Sequence, residues 1–102
     1  MISVDELRAM TPDAKSALAA TYEQMAGEFV GDPEKGLAAG YRPARPLRYS
    51  RVTDVSSPPT RFEGSQYAEW LKAIASRELP PRTWRVDVGM GDFVGSSRLT
   101  IF

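Results

Sequence analysis

Four arginines recur at every third position in Arg42-Pro43-Ala44-Arg45-Pro46-Leu47-Arg48-Tyr49-Ser50-Arg51, and no acid interrupts them. A guanidinium is a permanent cation whose planar fork pairs bidentately with a carboxylate or a phosphate. In a polyproline II helix, with three residues per turn, Arg42, Arg45, Arg48 and Arg51 would share one side at intervals of about 9 Å. Such a row suits an acidic protein surface or a phosphate backbone. The competing reading turns the segment into a strand near Leu47. Arg48 and Arg51 then leave on opposite faces, to pair with helix acids or to be solvated. The spacing of Pro43 and Pro46 also matches the shortest proline-rich ligand motif, a pattern too short to carry weight.

A second group is Gly89-Met90-Gly91-Asp92-Phe93-Val94-Gly95. Its glycines do not form a dinucleotide fingerprint, because that motif opens a helix and a strand pattern follows here. The informative residues are Asp92, Phe93 and Val94, which fall at a turn flanked by glycines. An apolar tip where polar residues are usual marks a partner contact. The alternative folds Phe93 back over the sheet edge into the core.

The remaining chemistry is limited. There is no cysteine and no histidine, which removes thiolate nucleophiles, imidazole bases, disulfides and the usual zinc ligand sets. General acid–base work would fall to a pair among thirteen carboxylates, and their spacing selects no pair. A chain of 102 residues also leaves little room for a deep substrate cleft. The sequence therefore predicts no catalytic residue, no cofactor and no metal.

Thirteen basic and thirteen acidic side chains cancel, so no global field draws the chain to nucleic acid or anionic membrane. The first six residues lack the basic and apolar regions of a signal peptide, and no apolar run is long enough to span a bilayer. These features predict a cytoplasmic protein without a membrane contact.

The elements that must position these residues are read from caps and periodicity. Ser3-x-x-Glu6 has the form of a capping box and predicts a short helix over residues 4–10. Thr11-Pro12-Asp13 starts a second helix over 12–30, with Ala14, Leu18, Thr21, Tyr22, Met25 and Phe29 as its apolar stripe and Gly31 at its end. Asp32-Pro33 opens one or two further turns, limited by Gly36 and Gly40. Residues 47–55 have the composition of an edge strand with poor alternation.

The central amphipathic helix covers 65–79, with Thr60 as an alternative start. Tyr67, Trp70, Leu71, Ile74 and Ala75 form one apolar face, and Pro80-Pro81 terminate it. The aromatics Tyr22, Tyr67, Trp70 and Trp84 are read as core rather than as base-stacking platforms. The C-terminal stretch predicts a hairpin with Trp84 opposite Ile101, Val86 opposite Leu99 and Asp87 opposite Arg98, which matches apolar groups on one face and opposite charges on the other. This register leaves Gly91 to Val94 as the loop.

The fold expected is one α+β domain: N-terminal helices (1–40), an extended Arg/Pro segment and strand (41–59), and a helix plus hairpin (60–102). The helices pack on a small, about three-stranded, antiparallel sheet, with the central helix covering the hairpin. The function expected is that of a non-enzymatic interaction protein of bacterial or phage origin, a small inhibitor or an assembly or adaptor subunit. It would occlude or bridge a larger protein through Arg42, Arg45, Arg48 and Arg51 and through Asp92, Phe93 and Val94. Nucleic-acid binding by the same arginines is the alternative.

Overall fold

A computed structural model describes residues 1–43, 60–89 and 96–102, with side chains in the long helix from Tyr67 onward. The chain is α+β: helices α1 (Val4–Ala9), α2 (Pro12–Gly31), α3 (Pro33–Ala38) and α4 (Thr60–Glu78) precede strands β1 (Trp84–Asp87) and β2 (Arg98–Ile101).

The helix starts follow their capping chemistry. The Glu6 N–H donates to the Ser3 hydroxyl at 3.1 Å, and the Ser3 N–H donates to the Glu6 carboxylate at 3.4 Å, which completes the reciprocal box. Thr11 accepts from the Ala14 N–H at 3.1 Å, with Pro12 in the first turn, where a missing N–H costs nothing. Asp32 serves two helices. Its N–H closes α2 on the Glu28 carbonyl at 2.9 Å, and its carboxylate accepts from the Lys35 N–H at 3.4 Å to open α3. Gly31 is thus the last residue of α2 rather than its cap. Gly40, with φ of 96°, then makes the reversal that leads to Tyr41.

The buried face of α2 differs from the expected stripe. Ala19, Tyr22, Ala26 and Phe29 are buried, Ala14, Leu18 and Met25 are half-buried, and Thr21 is exposed. The Thr21 hydroxyl bonds back to the Ala17 carbonyl at 3.1 Å. The shift has a packing cause: α2 lies against both α4 and β2, and alanines at 19 and 26 let two neighbours approach its axis closely.

On α4 the expected face is the core. Tyr67, Trp70, Leu71, Ile74 and Ala75 are all buried, and Leu79 follows them. Burying a large apolar side chain contributes about 1.5–3 kcal/mol, so Trp70, Leu71, Ile74 and Leu79, each almost wholly enclosed, dominate the core. Trp70 meets Phe29 edge-on at 5.2 Å between centroids, and Phe29 meets Tyr41 at 5.6 Å. The helix ends at Glu78, just before Leu79-Pro80-Pro81. Arg82 in the following turn takes a left-handed φ of 67°.

The two strands pair antiparallel as Trp84↔Ile101, Arg85↔Thr100, Val86↔Leu99 and Asp87↔Arg98, the register expected from the side-chain pattern. Among the described residues the sheet has two strands; the third strand expected at 47–55 lies outside them. The cover of this ribbon is shared: α4 meets β1, and α2 packs along β2 as well.

Candidate functional site

The described residues reach the base of each expected contact surface. Arg42 is exposed just after Tyr41 and has no ion pair among the described residues. Arg45, Arg48 and Arg51, which complete its row, lie outside the described residues, as do Asp92, Phe93 and Val94.

The base of the arginine segment is firmly held. The Tyr41 hydroxyl donates to the Glu78 carboxylate at 2.8 Å. Arg77 lies over the Tyr41 ring at 5.0 Å and donates to the Ala39 carbonyl at 2.7 Å. The Glu78 carbonyl accepts from the Ile2 N–H at 3.0 Å, so the end of α4 ties together the N-terminus and the end of α3. Burial, with the Glu78 hydrogen bond and charge second, pushes the Tyr41 hydroxyl up to about 12. Burial, with the charge of Glu78 second, also raises Tyr22.

The ribbon is held by a different carboxylate. Glu23 of α2 accepts from the Leu99 N–H at 3.0 Å and lies 3.7 Å from the Arg98 guanidinium. Burial first and the Glu23 charge second raise the Tyr67 hydroxyl, while Arg98 acts in the opposite sense. Asp87 faces Arg98 across the ladder as expected, but its ion pair is with Arg85 on its own strand, at 3.0 Å. Glu23 was one of thirteen undistinguished acids in the sequence. Its place beside Tyr22 on the true buried face of α2 is the signal that would have singled it out.

At the far end of the ribbon, Val88 is 65% exposed. Gly89 lies so close to the Ser96 carbonyl that a β-carbon there would overlap it. Ser97 is fully buried, and its hydroxyl has no hydrogen-bond partner among the described residues. A cavity of about 390 Å³ opens between the first half of α2 and β2.

Chemically, the two carboxylates that meet buried partners are engaged within the fold: Glu78 by Tyr41 and Glu23 by a strand amide. Among the described residues no group of three or more histidines, cysteines, aspartates or glutamates could hold a metal ion. No described helix is long and apolar enough to cross a membrane. No family model, no curated protein and no solved structure matches this chain.

Proposed function

We propose that this chain is a non-enzymatic interaction protein that occludes or bridges a larger protein partner, as a small inhibitor or as an assembly or adaptor subunit. Its contacts are assigned to Asp92, Phe93 and Val94 and to Arg42, Arg45, Arg48 and Arg51. The observation that carries the reading is Val88. This large apolar side chain directly follows β1 and is 65% exposed, which supports an apolar contact beside the turn that carries Phe93 and Val94.

The test is Phe93→Ala. Affinity capture from native-host lysate should lose the partner, while the melting temperature stays within about 2–4 °C of the parent, as for a surface residue. Retained capture, or a large fall in melting temperature, defeats the assignment.

Nucleic-acid binding is the second reading, favoured by Arg42 being exposed and without an acid partner among the described residues. Four phosphate contacts on duplex DNA imply a slope of log K against log salt of about −3.6, roughly a hundredfold loss between 50 and 200 mM. A flat salt response, or capture unaffected by nuclease, removes it.

A further inference from the structure

We propose that the groove between β2 and the first half of α2 binds an extended peptide segment carrying an acidic side chain, as an added strand. This surface is separate from the arginine row and the ribbon tip, and the proposal stands or falls independently of them.

The ladder between β1 and β2 has a fixed parity. The Phe102 N–H donates to the Thr83 carbonyl at 2.8 Å, and the Leu99 N–H donates to Glu23 instead of to β1. In an antiparallel pair the bonded and non-bonded positions alternate. Thr83/Phe102, Arg85/Thr100 and Asp87/Arg98 are therefore the bonded pairs. Leu99 and Ile101 turn both their N–H and C=O groups away from β1. Glu23 satisfies one of these four groups. The Leu99 C=O and the Ile101 N–H and C=O keep no partner among the described residues. Such a row of backbone groups is what an incoming strand pairs with.

A cavity stands beside this edge. Lys15, Ser16 and Ala19 of α2 face Leu99, Ile101 and Phe102 across the 390 Å³ cavity. Ala19 is buried where it lines this cavity. Lys15 is half-buried and has no ion pair among the described residues. It is the cation of the groove, so charge complementarity calls for an acid on the occupant.

The acid is a side chain and not a peptide terminus. Capture of a terminal carboxylate needs a cluster of backbone donors, and the nearby start of α2 does not offer one. Its Ala14 N–H is taken by Thr11, and Pro12 has no N–H. Glu23 marks one end of the groove, so pairing begins at the Leu99 carbonyl and runs toward Phe102.

The test uses the whole chain, ¹⁵N-labelled, titrated with acetyl-Thr-Val-Glu-Val-Thr-amide. Two control peptides accompany it: one with Gln for Glu, one with alternate amides N-methylated. In the free protein the Ile101 amide should exchange with solvent much faster than those of Thr100 and Phe102. The parent peptide should shift Ile101, Lys15 and Ala19 saturably, with half-saturation below about 1 mM, and should slow Ile101 exchange. The Gln peptide should bind up to about fivefold more weakly and Lys15→Glu, which adds repulsion, at least as weakly, with Lys15→Glu keeping the parent melting temperature. N-methylation should abolish binding. The proposal is overturned by equal binding of the N-methylated peptide, by no saturable shift up to about 5 mM, or by an Ile101 amide already protected in the free chain. Protection that grows with protein concentration also overturns it, since the occupant is then a second copy.

Discussion

Gly36 stands in the middle of a six-residue helix, where a glycine costs about 1 kcal/mol relative to alanine. Its reason is steric. A β-carbon there would come 2.6 Å from two ring carbons of Trp70 and 2.9 Å from Phe29, both buried and unable to yield. Gly36→Ala should therefore destabilise by about 1–3 kcal/mol despite the gain in helix propensity. Gly31, also helical, has nothing within 4 Å of such a carbon, so Gly31→Ala should stabilise by about 0.5–1 kcal/mol. Thermal or urea unfolding of the two variants reads both signs, and equal effects would mean the Trp70 contact is not what excludes a side chain at 36. Tyr41 gives a second prediction at this scale. Its hydroxyl is raised from 10.0 to about 12 in the fold, so the folded state holds the proton longer than the unfolded state does. The stabilisation is fully present below pH 10.0 and is lost as pH rises through about 12. Tyr22 and Tyr67 are raised in the same sense. The melting temperature should fall across this window, and Tyr41→Phe should fall less steeply while starting lower at neutral pH by the loss of the Glu78 bond.

The elements divide according to whether their determinants are local. Caps are local, and Ser3, Thr11 and Asp32 each start a helix with the bond their sequence implies. The register of the ribbon was also legible: a two-residue slip would keep Trp84, Val86, Leu99 and Ile101 on one face but set Arg85 against Arg98, whereas the observed register opposes Asp87 to Arg98. The face of α2 was not legible. Leu18 and Met25 look more apolar than Ala19 and Ala26, yet close approach by two neighbours favours small residues over large ones, and sequence spacing does not count neighbours. Glu23 stayed hidden for the same reason, since its partner is a backbone N–H seventy-six residues away. Its role gives a prediction for the element it clips. Glu23→Ala should cost about 1–3 kcal/mol by leaving the Leu99 amide without its acceptor. Hydrogen exchange at Leu99 should accelerate while Thr100, bonded to Arg85, stays slow. Glu23→Gln keeps an acceptor and should lose less. Unchanged exchange at Leu99 would show that the ladder, and not this carboxylate, protects it.

At the scale of the molecule, α2 joins the helical layer to the ribbon, since it lies against both α4 and β2. Leu99 and Ile101 belong to the same buried cluster as Trp70 and Phe29. A single core implies a single cooperative unfolding transition, without a stage in which the helices persist after the ribbon has left. The chain carries its own reporters for this claim, with Trp70 enclosed between helices and Trp84 half-buried on β1. In Trp84→Phe the fluorescence follows the helical layer, and in Trp70→Phe it follows the ribbon. Both substitutions lower stability, Trp70→Phe more because its ring is wholly enclosed, so each variant is compared with its own helix signal by circular dichroism. The two probes should share one midpoint within each variant. If Trp84 fluorescence changed before the helix signal, the ribbon would be a separate, weaker unit, and α2 would hold it only as an attachment to a helical core that folds without it.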